Sequence, residues 1–276
     1  MKSVLKKLSL LRNPAQFNEK LEKKFVNLCT LVIDKVENAK YKRLSPYYKY
    51  LYSKEVIRDN TRPINEELLK KTLLRIANSY IAATAKHEKI SHPAYKSSAQ
   101  WKAIIDQFYA PLKNSLISKD LQAMTNIFGN FCRTTVSRGL EFGMNFTQFG
   151  KNGFDASYAN SYLRRLHFWV AFLSEKESLK PLAFPLIGNP FGIVVDGDVI
   201  PHCTIRHHYY AMRILQIEKA NPRPIVCEIG GGFGGMAYHF LKNSGKGSKF
   251  IDFDLPEVLA LCSYFLLLAR PNGNKT

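Results

Sequence analysis

The chain has 276 residues, of which 46% are hydrophobic, so it can form a buried core in one large domain or two small ones. It holds 40 Lys and Arg against 22 Asp and Glu, a formal net charge of +18, and residues 1–100 carry 21 of the basic and 9 of the acidic residues. Such a charge either forms a solvated, lysine-rich helix surface or attracts anionic partners, among them an acidic glycan, a lipid-linked sugar, a membrane surface or a nucleic acid.

The cysteines exclude a disulfide framework. There are five, an odd number, spread along the chain without a C-x-x-C pair, and this indicates reduced thiols and no zinc site. The apolar run at residues 8–11 is too short for a signal-peptide core, and the run at residues 258–269 is shorter than the roughly 20 residues of a membrane span. The sequence therefore predicts a cytoplasmic protein without a transmembrane segment.

Apolar residues at three- and four-residue steps predict helices through the first part of the chain. The predicted helices cover residues 14–40, a segment after Pro63, residues 98–111, residues 119–135 and residues 156–174. Glycines at residues 139–155 predict a loop or hinge between helical blocks. Residues 1–180 are therefore predicted to form a mainly helical N-terminal domain.

Residues 181–220 are predicted to connect this domain to the next. Asp196 and Gly197 lie between two short apolar runs, at residues 192–195 and 198–200, and this pattern predicts a β-hairpin. Residues 205–219 then predict a helix whose aromatic and basic side chains line the mouth of a cofactor site.

The most informative stretch follows, at residues 225–235 and 251–256. A short apolar run, a glycine-rich turn, a helix and a second strand ending in acid predict parallel strands, the first of them buried. Glycines let a backbone approach a ligand closely, and the first N–H groups of the next helix lack partners within the helix. The turn is therefore predicted to cradle a cofactor.

Two cofactors fit this turn. Gly230, Gly232 and Gly235 satisfy the dinucleotide pattern G-x-G-x-x-G. Glu228, with Gly230, Gly232 and Gly234, satisfies the acidic-x-G-x-G-x-G pattern of S-adenosylmethionine-dependent methyltransferases. The carboxylate of Glu228 favours the second, because it repels a pyrophosphate but tolerates an ammonium and a sulfonium. The predicted cofactor-binding residues are Glu228, Gly230, Gly231, Gly232, Phe233, Gly234, Asp252 and Asp254, with Asp252 or Asp254 on the ribose hydroxyls.

These motifs resemble those of the sugar O-methyltransferase family. The resemblance lies in Glu-Ile-Gly-Gly-Gly-Phe-Gly-Gly-Met-Ala-Tyr at residues 228–238 and in Phe-Asp-Leu-Pro-Glu-Val-Leu-Ala-Leu at residues 253–261. It extends upstream to the stretches at residues 188–197 and 206–210, and it is specific over about residues 186–268. The resemblance implies a class I methyltransferase fold, S-adenosylmethionine as cofactor and a sugar or glycan hydroxyl as acceptor, which the charge suggests is anionic or lipid-linked.

The histidines near the turn are candidates for polar chemistry. Transfer to a weakly acidic alcohol needs a base, and His207 or His208 is the candidate, while His239 is expected to pack in the core. The spacing of His202, His207 and His208 matches no zinc pattern, so no metal is predicted.

The chain departs from the family after Asp254, where only one helix and a polar tail follow. A complete class I domain needs further strand–helix units, on the order of 100 residues more. The predicted fold is thus α + α/β: a helical N-terminal domain and, at residues 221–276, the first part of a Rossmann-like domain with an incomplete parallel sheet. A second chain or a homodimer is expected to complete the sheet.

The departure leaves several functions open. The favoured one is a sugar O-methyltransferase that is truncated and inactive as a single chain until the sheet is completed. A non-catalytic binding or interaction protein with a basic helical domain is the first alternative. A nucleic-acid methyltransferase is the second, although the sequence contains no recognised nucleic-acid module, and a dinucleotide oxidoreductase ranks last.

Overall fold

A computed structural model describes residues 48–51, 54–90, 92, 96–140, 154, 156–173 and 178–269 of the chain. The predicted helix at residues 14–40 lies outside these residues, as does most of the predicted loop at residues 139–155. The described residues from Lys49 onward belong to one compact unit. No helix in the described ranges is both long and apolar enough to cross a membrane.

The described part of the chain combines helices with two small sheets. The helices are α1 (Tyr48–Leu51), α2 (Glu66–His87), α3 (Ala99–Phe108), α4 (Ala110–Ser118), α5 (Leu121–Gly129), α6 (Ala156–Leu173), α7 (His202–Ile217), α8 (Gly235–Asn243) and α9 (Pro256–Ala269). The strands are β1 (Ile193–Val195), β2 (Asp198–Ile200), β3 (Ile225–Ile229) and β4 (Lys249–Phe253). Short 3₁₀ turns lie at Lys54–Ile57, Phe131–Arg133, Thr135–Ser137 and Lys180–Leu182.

Side-chain caps fix the starts of three N-terminal helices. The side chains of Asn65, Ser98 and Asp120 each accept a hydrogen bond from the backbone N–H three residues on, at 3.0, 3.3 and 3.0 Å. Each cap satisfies a donor that the helix itself leaves unpaired. The predicted helices after Pro63 and from Ser98 are confirmed, with their starts set by these residues.

Two predicted helix ends are wrong. The helix predicted at residues 98–111 divides at Tyr109 into α3 and α4, because Pro111 has no N–H to continue the first helix and instead lies in the first turn of the second. The helix predicted at residues 119–135 ends at Gly129. Beyond it, the N–H of Cys132 donates to the carbonyl of Gly188 at 3.0 Å, and this tertiary bond competes with a helical one.

The predicted hairpin is confirmed. β1 and β2 pair antiparallel, with Val195 opposite Asp198. Asp196 and Gly197 both have positive φ angles, 52° and 87°, as a two-residue type I′ turn requires.

A single arginine ties the hairpin region to the segment before α2. The guanidinium of Arg133 donates to the carbonyls of Ile57 at 2.9 Å, Asn189 at 2.8 Å and Pro190 at 3.2 Å, and also to that of Arg58. The planar guanidinium group thereby links the segment at residues 57–58 to the segment at residues 189–190, through hydrogen bonds to their backbone carbonyls.

The second sheet consists of β3 and β4, which run parallel and are joined by α8. The parallel pairing was predicted, but the prediction that the first strand is buried is wrong: Ile225 is 62% exposed and Ile229 is 90% exposed. Helices cover only one face of this pair, where Phe240 of α8 packs on Phe250 of β4 with ring centroids 5.5 Å apart. The other face is open in the described part of the chain.

The N-terminal helices pack directly against the helix that follows β4. α2 lies along α9, and the Tyr80 hydroxyl donates to a Glu257 carboxylate oxygen at 3.0 Å in the buried contact between them. Phe128 of α5 packs on Tyr264 of α9, with ring centroids 4.9 Å apart. The end of β4 is therefore held by elements from the first half of the chain.

Candidate functional site

The turn after β3 needs glycine for two separate reasons. Gly230, Gly232 and Gly234 have φ angles of 76°, 64° and 86°, in the left-handed region that side chains disfavour. Gly231 and Gly235 need the space instead: a Cβ on Gly231 would lie 2.5 Å from a carboxylate oxygen of Asp252, and one on Gly235 would lie 2.1 Å from Nδ1 of His207. At each of these five positions a residue with a side chain would therefore be strained, either by its backbone conformation or by a close contact.

Carboxylates from β4 hold this turn in place. The Gly231 N–H donates to Oδ1 of Asp252 at 3.2 Å, and the Gly232 N–H donates to Oδ2 of Asp254 at 2.9 Å. Asp254 also accepts from the N–H of Leu255 at 2.7 Å. Burial raises the pKa of both aspartates, while these backbone hydrogen bonds act in the opposite direction. Both acids predicted from the sequence therefore contact the turn itself.

Glu228 lies beneath the turn, opposite Asp252 in the parallel register. Its burial, followed by the charges of Asp252 and Asp254, raises its pKa to about 7. Among the described residues, Glu228 Oε2 and Asp252 Oδ2 are buried without a hydrogen-bond partner. A buried carboxylate without a donor is costly, so a cation or N–H donor supplied by a ligand would be stabilising here.

Two cavities flank the turn. The larger, about 290 Å³, is lined by Gly139, Leu140, Arg206, His207, Tyr210, Glu228, Gly230, Gly231, Gly232, Phe233 and Met236. The smaller, about 130 Å³, is lined by Ser97, Trp101, Gly139, Leu140, Gly230, Gly232, Asp254 and Leu255. Leu140 and the glycines border both cavities, so an elongated ligand that crosses the turn can reach both.

The other predicted cofactor residues occupy supporting positions. Phe233 is buried, and its ring packs against those of His207 and Phe265 at centroid distances of 5.4 and 5.3 Å. Gly234 caps the start of α8. Helix α7, which precedes β3 in the chain, forms one wall of the larger cavity. It contributes Arg206, His207 and Tyr210 to that wall.

Of the two candidate bases, only His207 lines a cavity at the turn. Its burial, followed by the nearby guanidinium groups of Arg206 and Arg165, lowers its pKa to about 3, so it is neutral at pH 7. His208 is buried in the core, where its Nδ1 accepts a hydrogen bond from Nε1 of Trp169 at 3.0 Å, and its pKa is lowered to about 4 by burial and Lys242.

His239 packs in the core, where its Nε2 lies 2.6 Å from the Thr204 hydroxyl. His202 is on the first turn of α7, 3.3 Å from the Ser161 hydroxyl. The described residues include no group of three or more His, Cys, Asp or Glu side chains placed to hold a metal ion.

Sequence reasoning missed the walls contributed by residues far upstream of the turn. Trp101 and Ser97 come from the start of α3, and Gly139 and Leu140 follow the last 3₁₀ turn of that region. No local motif marks these residues, because only the packing of the N-terminal helices brings them to the turn.

Comparisons with protein-family models, with curated proteins and with solved structures find no match. The geometry of the turn and its cavities is therefore the basis for the functional proposal.

Proposed function

We propose that the chain is an S-adenosylmethionine-dependent O-methyltransferase that acts on a sugar or glycan hydroxyl, with β3, α8 and β4 as the first part of a Rossmann-like domain. The observation that carries the proposal is that Glu228 and Arg206 line the same cavity beside the glycine turn. The methionyl end of the cofactor carries an ammonium and a carboxylate. A cavity with one carboxylate and one guanidinium complements both charges.

The smaller cavity suits the adenosyl end. Asp254 lines it at the end of β4, where a carboxylate can accept hydrogen bonds from ribose hydroxyls. Trp101 lines the same space and supplies an aromatic surface for the adenine. The cofactor would thus cross the turn from Glu228 to Asp254.

The alternative cofactor, a dinucleotide, fits this turn less well. Its pyrophosphate would lie beside the carboxyl groups of Glu228, Asp252 and Asp254, where burial and the charges of the two aspartates already raise the pKa of Glu228. Adding two phosphate charges to this cluster is electrostatically unfavourable. A sulfonium and an ammonium are attracted to it instead.

When bound, S-adenosylmethionine supplies an electrophilic methyl group. The contribution of the chain is to position the acceptor and to take the proton from its hydroxyl. His207 is the candidate for the second task, because it lines the larger cavity. Burial lowers its pKa to about 3, so it is neutral at pH 7 but a weak base in the absence of ligands. The sugar class of the acceptor rests on the resemblance of the turn and its flanks to sugar O-methyltransferases.

Isothermal titration with S-adenosylmethionine, S-adenosylhomocysteine and NAD tests the cofactor. We expect the first two to bind and NAD to bind more weakly or not at all. Tighter binding of NAD, or no binding of S-adenosylhomocysteine to the folded protein, would refute the methyltransferase proposal. Incubation with radiolabelled S-adenosylmethionine and a panel of glycans then measures transfer.

The open face of the second sheet favours a second candidate, a non-catalytic interaction protein. Ile225, Ile229, Ile251 and Phe253 are 62, 90, 42 and 56% exposed on that face. Parallel strands normally have both faces covered, so we expect a second copy of the chain to pack there.

Sedimentation velocity tests this interface. We expect the native chain to self-associate and Ile229→Lys to shift it toward monomer. Ile217→Lys is the control, since Ile217 is 75% exposed on α7 and belongs to neither strand of the sheet. A native chain that stays monomeric at all accessible concentrations would exclude the second copy. Self-association without any S-adenosylhomocysteine binding would favour the interaction protein.

A further inference from the structure

Exposed aromatic rings form a continuous surface on α6 and α7, which we call the aromatic platform. It consists of Phe168, Phe172, Tyr209 and Tyr210. Phe168 is 47% exposed, Phe172 56% and Tyr210 48%. Large apolar rings are rarely left in water as a group unless something binds them.

The rings contact one another across the two helices. Phe168 and Phe172 are one helical turn apart, with centroids 4.3 Å from each other. Tyr209 meets both edge-on, at centroid distances of 5.1 and 5.5 Å, and Tyr210 lies 5.5 Å from Tyr209. Mutual packing limits the rotamers of these side chains, so the platform is preorganised for a ligand.

The two helices that carry the platform bear charge of one sign. Neither α6 nor α7 contains an Asp or a Glu. Exposed arginines lie one turn from the rings on each helix: Arg164 precedes Phe168 by four residues, and Arg213 follows Tyr209 by four. A ligand with an apolar face and an anionic group complements this surface.

The platform is continuous with the cavity at the glycine turn. Tyr210 belongs to both, because it also lines the larger cavity together with Arg206 and His207. A ligand that lies on the rings therefore extends toward the place where the proposed cofactor would present its methyl group.

We propose that the aromatic platform is the acceptor-binding surface and that the acceptor is an anionic carbohydrate, such as a uronic-acid glycan. This inference rests on the proposed function. The apolar face of a sugar ring packs on aromatic rings, while a carboxylate pairs with Arg213, whose guanidinium also donates to Oε1 of Gln216 at 2.7 Å. One ring hydroxyl then reaches past Tyr210 into the cavity, where His207 lies. Because α6 and α7 carry arginines and no acidic residue, this surface favours an anionic glycan over a neutral one.

The first test compares a galacturonic acid oligosaccharide with a neutral galactose oligosaccharide of the same length, by isothermal titration against the full chain. We expect the acidic glycan to bind and the neutral one to bind at least about tenfold more weakly. Equal binding of the two would overturn the anionic class, and no binding of either would overturn the platform as an acceptor surface.

Variants locate the binding on the platform. Phe172→Ala and Tyr210→Ala are each expected to weaken binding of the acidic glycan about tenfold, because each variant removes one aromatic side chain on which the ligand stacks. Ile117→Ala is the matched control, because Ile117 is 60% exposed on α4 and lies outside α6 and α7, the two helices that carry the platform. Since these side chains are exposed, circular dichroism should show unchanged folding. Unchanged affinity in both platform variants would overturn the proposal.

Arginine variants separate specific pairing from general positive charge. Arg213→Gln is expected to weaken binding about tenfold, whereas Arg75→Gln on α2, which removes the same charge, should leave it unchanged. Equal losses in the two variants would mean that net charge alone attracts the glycan, and the platform proposal would then fail.

Competing ligands and the cofactor titration complete the design. A single-stranded RNA oligonucleotide or anionic lipid vesicles that bind more tightly than the acidic glycan, and lose this binding in Phe172→Ala, would assign the platform to that class instead. Binding of S-adenosylhomocysteine without acidic glycan binding would sink this inference and leave the methyltransferase proposal standing. Glycan binding that depends on the platform, without any binding of S-adenosylhomocysteine, would support the platform as a glycan-binding surface and refute the methyltransferase proposal.

Discussion

Glu228 and Asp252 face each other on neighbouring parallel strands, and one oxygen of each carboxyl is buried without a hydrogen-bond donor among the described residues. Burial, followed by the charges of Asp252 and Asp254, raises the pKa of Glu228 to about 7. The pair is therefore poised to change charge when a cationic ligand arrives.

The first prediction concerns the pH dependence of ligand binding. Because the pKa of Glu228 is raised to about 7, the fraction of ionised carboxylate increases between pH 6 and pH 8. The affinity for S-adenosylhomocysteine, whose ammonium pairs with this carboxylate, should rise over the same range. Isothermal titration at several pH values measures it.

The variant Glu228→Gln provides the control for this prediction. Its affinity should be about tenfold weaker than native at pH 8, and it should lack the rise between pH 6 and pH 8. A native-like pH profile in the variant would assign the effect to another group.

The second prediction concerns the ribose contact. Asp254→Asn keeps one acceptor oxygen for the Gly232 N–H, but it replaces the oxygen that accepts from the Leu255 N–H and removes the negative charge that ribose hydroxyls would bind. We expect S-adenosylhomocysteine affinity to fall about tenfold, the effect of weakening a charged hydrogen bond. Asp106→Asn, an exposed position on α3, serves as the matched control. If affinity survives in Asp254→Asn, the ribose does not bind there.

The third prediction concerns the packing of the turn. Gly235→Ala would bring a Cβ within 2.1 Å of Nδ1 of His207, so it should lower the free energy of unfolding by about 1–3 kcal/mol. Gly129→Ala meets no atom within 4 Å and should be neutral or slightly stabilising. Urea denaturation of the two variants compares them. Equal stability would show that the turn relaxes easily.

The fourth prediction is a loss of stability in acid. Burial lowers the pKa of His202 and His207 to about 3 and of His208 to about 4, and that of His239 is also lowered. The unfolded chain therefore binds more protons than the folded one below about pH 6.5. The histidine contribution to stability should be full above that pH and fall as pH drops toward 4, by at most about 1.4 kcal/mol per pH unit for each histidine, while the raised pKa of Glu228 acts in the opposite direction.

Thermal unfolding between pH 7 and pH 4.5 measures this loss. His208→Gln removes one buried imidazole, so its melting temperature should depend less steeply on pH than that of the native chain. Equal pH dependence of the melting temperature in the native chain and in His208→Gln would contradict the burial of His208.

The local features of the site could be predicted from the sequence, because short motifs specify them. Gly230, Gly232 and Gly234 do have positive φ angles, and Asp252 and Asp254 do contact the turn. The exposure of Ile229 could not be predicted, since an apolar strand has the same pattern whether its second face is covered or open. The contributions of Trp101 and Leu140 depend on contacts between distant segments, which no motif records.

The ends of the helices likewise divide into those set by the local sequence and those set by contacts between distant segments. Caps at Ser98 and Asp120 act within three residues and are visible in the sequence. The end of α5 at Gly129 is set partly by the bond from Cys132 to Gly188, which only the folded chain contains. Tertiary hydrogen bonding thus decided where local periodicity was ambiguous.

The hydrogen bond from Tyr80 to Glu257 limits how modular this protein can be. Glu257 lies three residues after Asp254, and its buried carboxylate accepts from a hydroxyl on α2. A fragment that began at residue 181 would keep the whole glycine motif but leave this carboxylate without its donor and uncover the apolar side of α9. Transplanting the motif alone into another protein would therefore not transplant the binding site.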